Sequence, residues 1–200
     1  EAEYWKTIEL GMMRRADMSY YPSYIEEEAI HAIDPKIPVK AITAYVYETF
    51  LENIPEDFAR REGLLFVGGF AHPPNADAVL WFAKEIFPKV YEKTKAPFYI
   101  VGSKVTEEIR ALHNPEQGII VKGFVSEEEL ARLYATSRVV VVPLRYGAGV
   151  KGKVVEAIYN GSAIVTTSIG AEGIPGVEKI LKIEDEAETF ANETIALYEN

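Results

Sequence analysis

Cysteine is absent from these 200 residues, and its absence excludes several kinds of chemistry at once. Without thiols the chain forms no disulfide, offers no cysteine nucleophile and holds no cysteine-ligated zinc. Long apolar runs are also absent, since none approaches the roughly 20 residues of a membrane-spanning helix. No signal-peptide pattern opens the chain. The sequence therefore predicts a cytoplasmic location, with attachment to a membrane surface as the alternative for a longer full-length protein.

Positive charge is scarce, because 21 lysines and arginines face 31 aspartates and glutamates, which leaves a net charge of −10. Such a field repels phosphate backbones, so no nucleic-acid partner is expected, although a local cationic pocket is still allowed. Histidine is also rare, and His31, His72 and His113 lack the spacing of a metal-binding motif. We therefore expect no metal site.

Short apolar runs alternate with helical patterns from Leu64 onward, and the runs at 64–67 and 139–142 are continuously apolar, as buried parallel strands are. Strands separated by helices build βαβ units. The sequence thus predicts an α/β fold, a Rossmann-like parallel sheet with helices on both faces. The expected strands are residues 64–67, 98–102, 119–121, 123–125, 139–142, 163–167 and 180–183. The expected helices are residues 75–90, 107–112, 149–160, 185–198 and one that begins after Ser126.

The residues before Leu64 show a different pattern. Helical spacing predicts a helix over 4–15 and another over 23–32, with Ser23 as its N-cap and Glu26 three residues later. Short strands are expected over 17–21 and 39–43. Residues 45–63 are acidic and contain a proline, which is typical of a linker, so a domain boundary is expected shortly before Leu64.

The segment 139–156 is the junction richest in binding chemistry. A buried strand runs into three glycines, two lysines and the start of a helix. Ligands of open parallel sheets bind at the carboxyl ends of strands, and helix N-termini attract anions. Lys151 and Lys153 add positive charge, and Glu156 shares a helix face with Lys153. A cation for phosphate beside a carboxylate for sugar hydroxyls predicts a clamp for a nucleoside diphosphate.

Three other interpretations of this segment stay open. Lys153 and Glu156 are spaced as an ordinary surface ion pair on a capped helix. Gly147, Gly152 and Lys153 match most of the phosphate-loop pattern of nucleotide hydrolases, but Val154 stands where a Mg²⁺-binding Ser or Thr is required. A non-catalytic nucleotide-binding or interaction module is the third alternative.

Stretches between Leu64 and Leu181 resemble a known family in both content and order. Over this span the chain resembles the C-terminal, donor-binding half of the family 4 (group 1) retaining glycosyltransferases, which have the GT-B fold. The stretches that carry the resemblance are Leu65-Phe66-Val67-Gly68-Gly69-Phe70, His72-Pro73-Pro74-Asn75-Ala76-Asp77-Ala78, residues 123–130 (Gly-Phe-Val-Ser-Glu-Glu-Glu-Leu), Pro143-Leu144-Arg145 to Lys153, Glu156-Ala157, 161–167 and Gly170-Ala171-Glu172-Gly173.

The resemblance implies a nucleotide-diphosphate sugar as the donor substrate, with no cofactor and no essential metal. The family often carries two glutamates eight residues apart; the second matches Glu156, which would bind the ribose, and the first falls on Ala148. Lys153 would stabilise the diphosphate, so Lys153 and Glu156 are the expected catalytic residues. The other residues expected at the donor site are Gly68, Gly69, Phe124, Val125, Leu130, Gly149, Val150, Lys151, Gly170, Ala171 and Glu172.

The resemblance also implies a domain organisation and a set of partners. Residues 1–50 would be a remnant of the N-terminal acceptor domain, 51–63 a linker, 64–184 the nucleotide-sugar-binding domain, and 185–200 a helix that crosses back. The acceptor, a glycan, a lipid or a small molecule, would be held by a domain that is largely missing from this chain. We therefore expect the chain alone to be inactive or nearly so, and to self-associate through the exposed inter-domain face.

Overall fold

The computed structural model describes residues 2–42, 45–49 and 58–200. The chain divides into two compact units, one of Glu1–Glu48 with Gly173–Pro175 and one of Thr49–Glu172 with Gly176–Asn200. Most of the expected linker, 51–57, and the end of the expected strand 39–43 lie outside the described residues. The described end of the linker forms a 3-10 turn over Phe58–Arg60.

The first unit has the predicted order helix, strand, helix, strand. Its elements are α1 (Ala2–Met13), β1 (Ser19–Tyr21), α2 (Tyr24–Ile33) and β2 (Val39–Ala41), and the two strands pair in parallel. Ser23 caps α2 as predicted, although its hydroxyl accepts from the backbone N–H of Ile25 rather than that of Glu26. A small core forms around Met13, Ile30, Ile37 and Val39.

The self-association of the chain that the sequence analysis expects stays a prediction.

The second unit contains a six-stranded sheet in which every paired strand runs parallel. The strand order β5-β4-β3-β6-β7-β8 is, counted along this unit, 3-2-1-4-5-6, the order of a Rossmann fold. The predicted α/β class and parallel sheet are therefore confirmed. The strands are β3 (Leu64–Val67), β4 (Phe98–Val101), β5 (Ile119–Gly123), β6 (Val139–Val142), β7 (Ala163–Thr166) and β8 (Lys182–Ile183).

The helices of this unit follow the strands in alternation. They are α3 (Pro73–Trp81), which passes through a π-helical turn (Phe82–Ile86) into α4 (Phe87–Thr94), then α5 (Glu107–Arg110), α6 (Glu127–Thr136), α7 (Gly152–Tyr159), α8 (Ser168–Ala171) and α9 (Ala187–Glu199). The capping box that Ser126 and Glu129 predict is formed on its Ser126 side, because the hydroxyl accepts from the Glu129 N–H at 3.2 Å.

Three predicted boundaries in this unit are wrong, each for a local reason. The expected helix 75–90 continues to Thr94. It contains a π turn, because Pro88 has no N–H and its ring clashes with the carbonyl of Lys84 in a regular helix. The expected strands 119–121 and 123–125 are the single strand β5, in which Lys122 is bulged. The helix expected from Gly149 begins at Gly152, because Gly149 has a left-handed φ of 77°.

Aromatic side chains fill the core between the sheet and the helices α4 and α9. The Phe82 ring lies 4.8 Å from that of Phe98 on β4 and 5.9 Å from that of Phe190 on α9, centroid to centroid. All three side chains are fully buried. Phe190 thereby packs α9 against the same unit that carries the sheet.

Replacement of Phe98 with alanine tests this core. We expect Phe98→Ala to lower the free energy of unfolding by about 3–5 kcal/mol, because it removes a buried ring and leaves a cavity. Phe124→Ala is the matched control, since the Phe124 side chain is 81% exposed, and its effect should be close to zero. Urea unfolding followed by far-ultraviolet circular dichroism measures both changes. Equal effects of the two substitutions would contradict the packing described.

Candidate functional site

The carboxyl ends of β3 and β6 define the candidate site. The two strands are neighbours in the sheet, but the chain continues from β3 to β4 on one side and from β6 to β7 on the other. Connections that diverge in this way open a crevice at the strand ends, where ligands of open α/β sheets bind. The loop 68–72, which leads into α3, and the loop 143–151, which leads into α7, meet at this edge.

Lys153, in the first turn of α7, reaches from one of these loops to the other. Its ammonium donates a hydrogen bond to Oδ1 of Asn75 and lies 4.6 Å from the centroid of the Phe66 ring. A Cβ atom placed on Gly68 would lie only 2.7 Å from the Lys153 Nζ. The bare backbone of Gly68 therefore leaves the space that the ammonium occupies.

Among the described residues, the charge of Lys153 has no counter-ion of its own. Within the described residues, no carboxylate forms an ion pair with it. Burial, and secondarily the positive charge of Lys151, lower the pKa of Lys153 to about 8. A partly buried cation with no negative partner attracts an anion into the crevice, because the anion would remove the electrostatic cost of burying the charge.

Lys151, by contrast, is paired. Its ammonium lies 3.1 Å from a carboxylate oxygen of Glu172 and also donates to the carbonyl of Gly149, and only 10% of its side chain is exposed. These bonds join the loop after β6 to the end of α8. The structure thus brings together five of the predicted residues: Gly149 and Glu172 contact Lys151, and Gly68 lies beside Lys153.

Glu156 lies one turn beyond Lys153 on α7 and is partly buried. Burial raises the pKa of its carboxyl group, and a hydrogen bond with Tyr134 of α6 opposes that rise. Among the described residues the carboxylate makes no ion pair with Lys153, so the surface ion pair expected from their spacing is not formed. A carboxylate in this position can accept hydrogen bonds from hydroxyl groups of a ligand.

The phosphate-loop interpretation is disfavoured by Val154. This residue follows Lys153 and is completely buried in the core of the unit. The valine side chain carries no hydroxyl for Mg²⁺. In the portions of the chain that the structure covers, no group of histidine, aspartate and glutamate side chains could hold a metal ion, and no helix is long and apolar enough to cross a membrane.

The other predicted residues lie at neighbouring strand ends. Gly69 lies in the loop after β3, and a Cβ there would be 3.2 Å from the Ser103 hydroxyl. Gly170 and Ala171 belong to α8, where a Cβ on Gly170 would overlap the Thr166 hydroxyl, so packing alone requires that glycine. Val150 lies between Gly149 and Lys151 in the loop.

Phe124, Val125 and Leu130 form a separate group. They follow β5 and begin α6, at the outer end of the sheet. Phe124 is largely exposed. No hydrogen bond between described residues joins this group to the two lysines. Its place in the candidate site stays a prediction.

Sequence reasoning missed Asn75 and the pair formed by Arg145 and Asp77. Asn75 is buried in the first turn of α3 and contacts Lys153 directly. Arg145 donates from Nε to Asp77 at 2.9 Å and stacks over Trp81, which ties the loop after β6 to α3. The sequence signal that could have identified Asn75 and Asp77 is a group of polar residues at the start of a helix that follows a strand ending in glycines. Their partners Lys153 and Arg145 lie 78 and 68 residues away in the chain.

The lowered pKa of Lys153 predicts a pH-dependent stability. Unfolding takes up a proton between about pH 8 and 10.5, so the wild-type protein gains stability as pH rises through that window. Lys153→Met removes the buried charge, so its stability relative to wild type should fall by about 3 kcal/mol from neutral pH to the upper end of the window. Urea unfolding at a series of pH values measures this difference, with the exposed Lys93→Met as the control for loss of one charge. A difference that does not change with pH would contradict the burial of the ammonium.

Solved structures share this fold. TarM superposes with a TM-score of 0.72 at 16% identity, over 96% of this chain and 40% of that one. Anabaena HepE, solved in complex with UDP and glucose, superposes with a TM-score of 0.68 at 17% identity, over 97% of this chain and 57% of that one. WaaG, a glycosyltransferase involved in lipopolysaccharide biosynthesis, gives 0.65 at 12% identity, over 90% and 53%. At these identities the likeness shows the fold alone, the Rossmann-like half of a GT-B protein.

Sequence relatives point the same way. An uncharacterized 44.6 kDa protein from the cps region of Klebsiella pneumoniae is 31% identical over 116 residues, 55% of this chain and 30% of that protein. The chain thus spans less than a third of this curated relative. The family model for group 1 glycosyl transferases matches residues 61–200, more than half of the chain and the whole of the region that carries the site. The chain therefore belongs to the group 1 glycosyltransferases.

Proposed function

We propose that this chain is the donor-binding part of a retaining glycosyltransferase of the family 4 type, which binds a nucleotide-diphosphate sugar without an essential metal. The observation that carries the proposal is the partly buried ammonium of Lys153 in the crevice between β3 and β6, which has no carboxylate partner among the described residues. Family membership and the UDP complex of the structurally similar HepE support a nucleotide sugar as the ligand.

In this proposal Lys153 acts on the leaving group. Breaking the bond between the anomeric carbon and the diphosphate leaves negative charge on the departing diphosphate. A fixed ammonium stabilises that charge more than the charge of the intact donor, and the stabilisation is large where water is excluded. The N-terminus of α7 carries a partial positive charge, which also favours an anion. Lys151, already paired with Glu172, contributes mainly by holding the loop.

Glu156 orients the nucleotide in this proposal. Its carboxylate accepts hydrogen bonds from the ribose hydroxyls, and the amides of Gly149 and Val150 face the diphosphate. Phe124, Val125 and Leu130 border the base, and the loop that contains Gly170, Ala171 and Glu172 borders the sugar. Ala148 offers the sugar only a methyl group where related enzymes often have a carboxylate.

Glu156→Gln should weaken binding of the nucleotide less than removal of the Lys153 charge does.

The acceptor enters this proposal only indirectly. The chain spans 40% to 57% of the three solved relatives described above, so we place acceptor binding, and most of the transfer activity, outside these 200 residues. Binding of the donor is then the activity that this chain can show by itself. Turnover at ordinary enzymatic rates by this chain alone would contradict that division.

Calorimetric titration with UDP, GDP, ADP and ATP, each with and without Mg²⁺, tests the proposal. We expect one diphosphate to bind without metal and Lys153→Met to weaken it at least about tenfold, because a charge-assisted hydrogen bond is lost. Lys93→Met, which replaces an exposed lysine on α4, is the matched control and should leave the affinity for the diphosphate unchanged.

Two other outcomes would favour the alternatives. Binding and hydrolysis of ATP only in the presence of Mg²⁺ would indicate a nucleotide hydrolase. Binding of no nucleotide by a folded wild-type protein would overturn the donor-site proposal and indicate an interaction module.

A further inference from the structure

Asn75 connects the two sides of the crevice. Its side chain is 6% exposed and makes two hydrogen bonds in different directions. The amide Nδ2 donates to the carbonyl of Gly69 at 2.8 Å, and Oδ1 accepts from the ammonium of Lys153. One contact lies in the loop after β3 and the other on α7, which follows β6.

An amide suits these two partners better than any other group. A carbonyl oxygen needs a donor and an ammonium needs an acceptor, and of the two orientations of the amide only the observed one satisfies both. A carboxylate of the same shape would repel the Gly69 carbonyl and would neutralise Lys153. An apolar side chain of the same shape would leave the Lys153 ammonium without its acceptor and the Gly69 carbonyl with only the N–H of His72, at 3.3 Å.

The ring of Phe66 and the backbone of Gly68 also lie next to the ammonium. The ring centroid is 4.6 Å from Nζ, and a Cβ on Gly68 would approach Nζ and the Asn75 amide to 2.7 and 3.0 Å. Both neighbours are uncharged. The position of Lys153 is thus determined by neutral contacts that leave its full positive charge for a ligand.

We propose that Asn75 is a positioning residue for diphosphate binding, which holds the Lys153 ammonium at the crevice without neutralising it. The inference rests on the proposed role of Lys153 in donor binding. Asn75 itself acts through Lys153 and through the Gly69 carbonyl.

The charged groups around Lys153 are few. Lys151 precedes it on its own loop and is paired with Glu172, and Glu156 follows on its own helix. Among the described residues of the loops 68–72 and 143–151 and of α3 and α7, the other titratable side chains are His72, Asp77, Arg145, Tyr146 and Tyr159, and Asp77 is paired with Arg145. A carboxylate introduced at position 75 would therefore be the first negative partner in direct contact with the ammonium.

Two substitutions of nearly the same shape separate positioning from packing. Asn75→Asp should raise the pKa of Lys153 by about one unit or more, because a carboxylate favours the charged form. It should also weaken diphosphate binding at neutral pH by about tenfold, because the ammonium is already neutralised. Asn75→Leu should lower the pKa, because the ammonium loses its acceptor, so that diphosphate binding is lost at a lower pH than in the wild type.

Two measurements are made on each variant of the full chain. Carbon-13 NMR of lysine-labelled protein, with the Lys153 signal assigned through its absence in Lys153→Met, gives the pKa without any ligand. Calorimetry with UDP across pH gives the pH at which affinity falls. Asn114→Asp is the matched control, because it makes the same change of charge in a turn before β5, at the far edge of the sheet from β6.

Opposite shifts of the Lys153 pKa in Asn75→Asp and Asn75→Leu, with matching shifts of the binding profile, would support the inference. Wild-type UDP binding with an unchanged pKa and an unchanged pH profile in both variants would overturn it, even if both variants unfold more easily. If the wild type binds none of the diphosphates, the proposed function fails; the NMR titration then decides by itself whether Asn75 controls the charge of Lys153.

Discussion

The candidate site depends on the partly buried ammonium of Lys153, which has no carboxylate partner among the described residues. Placing a cation where water is partly excluded costs free energy, and that cost appears as a pKa of about 8. A strongly lowered pKa in a crevice marks a candidate ligand site. The neutral contacts of Phe66, Gly68 and Asn75 hold the charge in place without cancelling it.

The strand order of the sheet makes this arrangement possible. The neighbouring strands β3 and β6 are separated by three crossover connections in the chain, so their loops converge at one edge although about 70 residues lie between them. Hydrogen bonds then lock the converged loops, since Arg145 binds Asp77 and Lys153 binds Asn75. The loop after β6 is held on its other side by Lys151 and Glu172. The candidate site therefore consists of side-chain contacts that join loops at one edge of the sheet.

Much of the fold could be predicted from local pattern. Continuous apolar runs marked β3 and β6, and the capping residue Ser126 marked the start of α6, because these signals act within a few residues. The predicted boundaries of helices and strands were wrong where a single residue changed the local backbone conformation. Pro88 accompanies the π turn, the bulge at Lys122 merged two expected strands, and the left-handed Gly149 delayed the start of α7. Each of these depends on backbone geometry that apolar periodicity does not report.

The sequence by itself determined the class of the fold, the glycine-rich junction after β6 and the two lysines and glutamate that follow it. It also determined the family, because the order of short motifs along the chain is a property of the sequence. Only the tertiary structure decided which lysine has a counter-ion: Lys151 meets Glu172, whereas Lys153 meets a neutral amide and an aromatic ring. The physical reason is that the electrostatic free energy of a charge depends on burial and on partners across the sheet, and neither is encoded in the neighbouring residues along the chain.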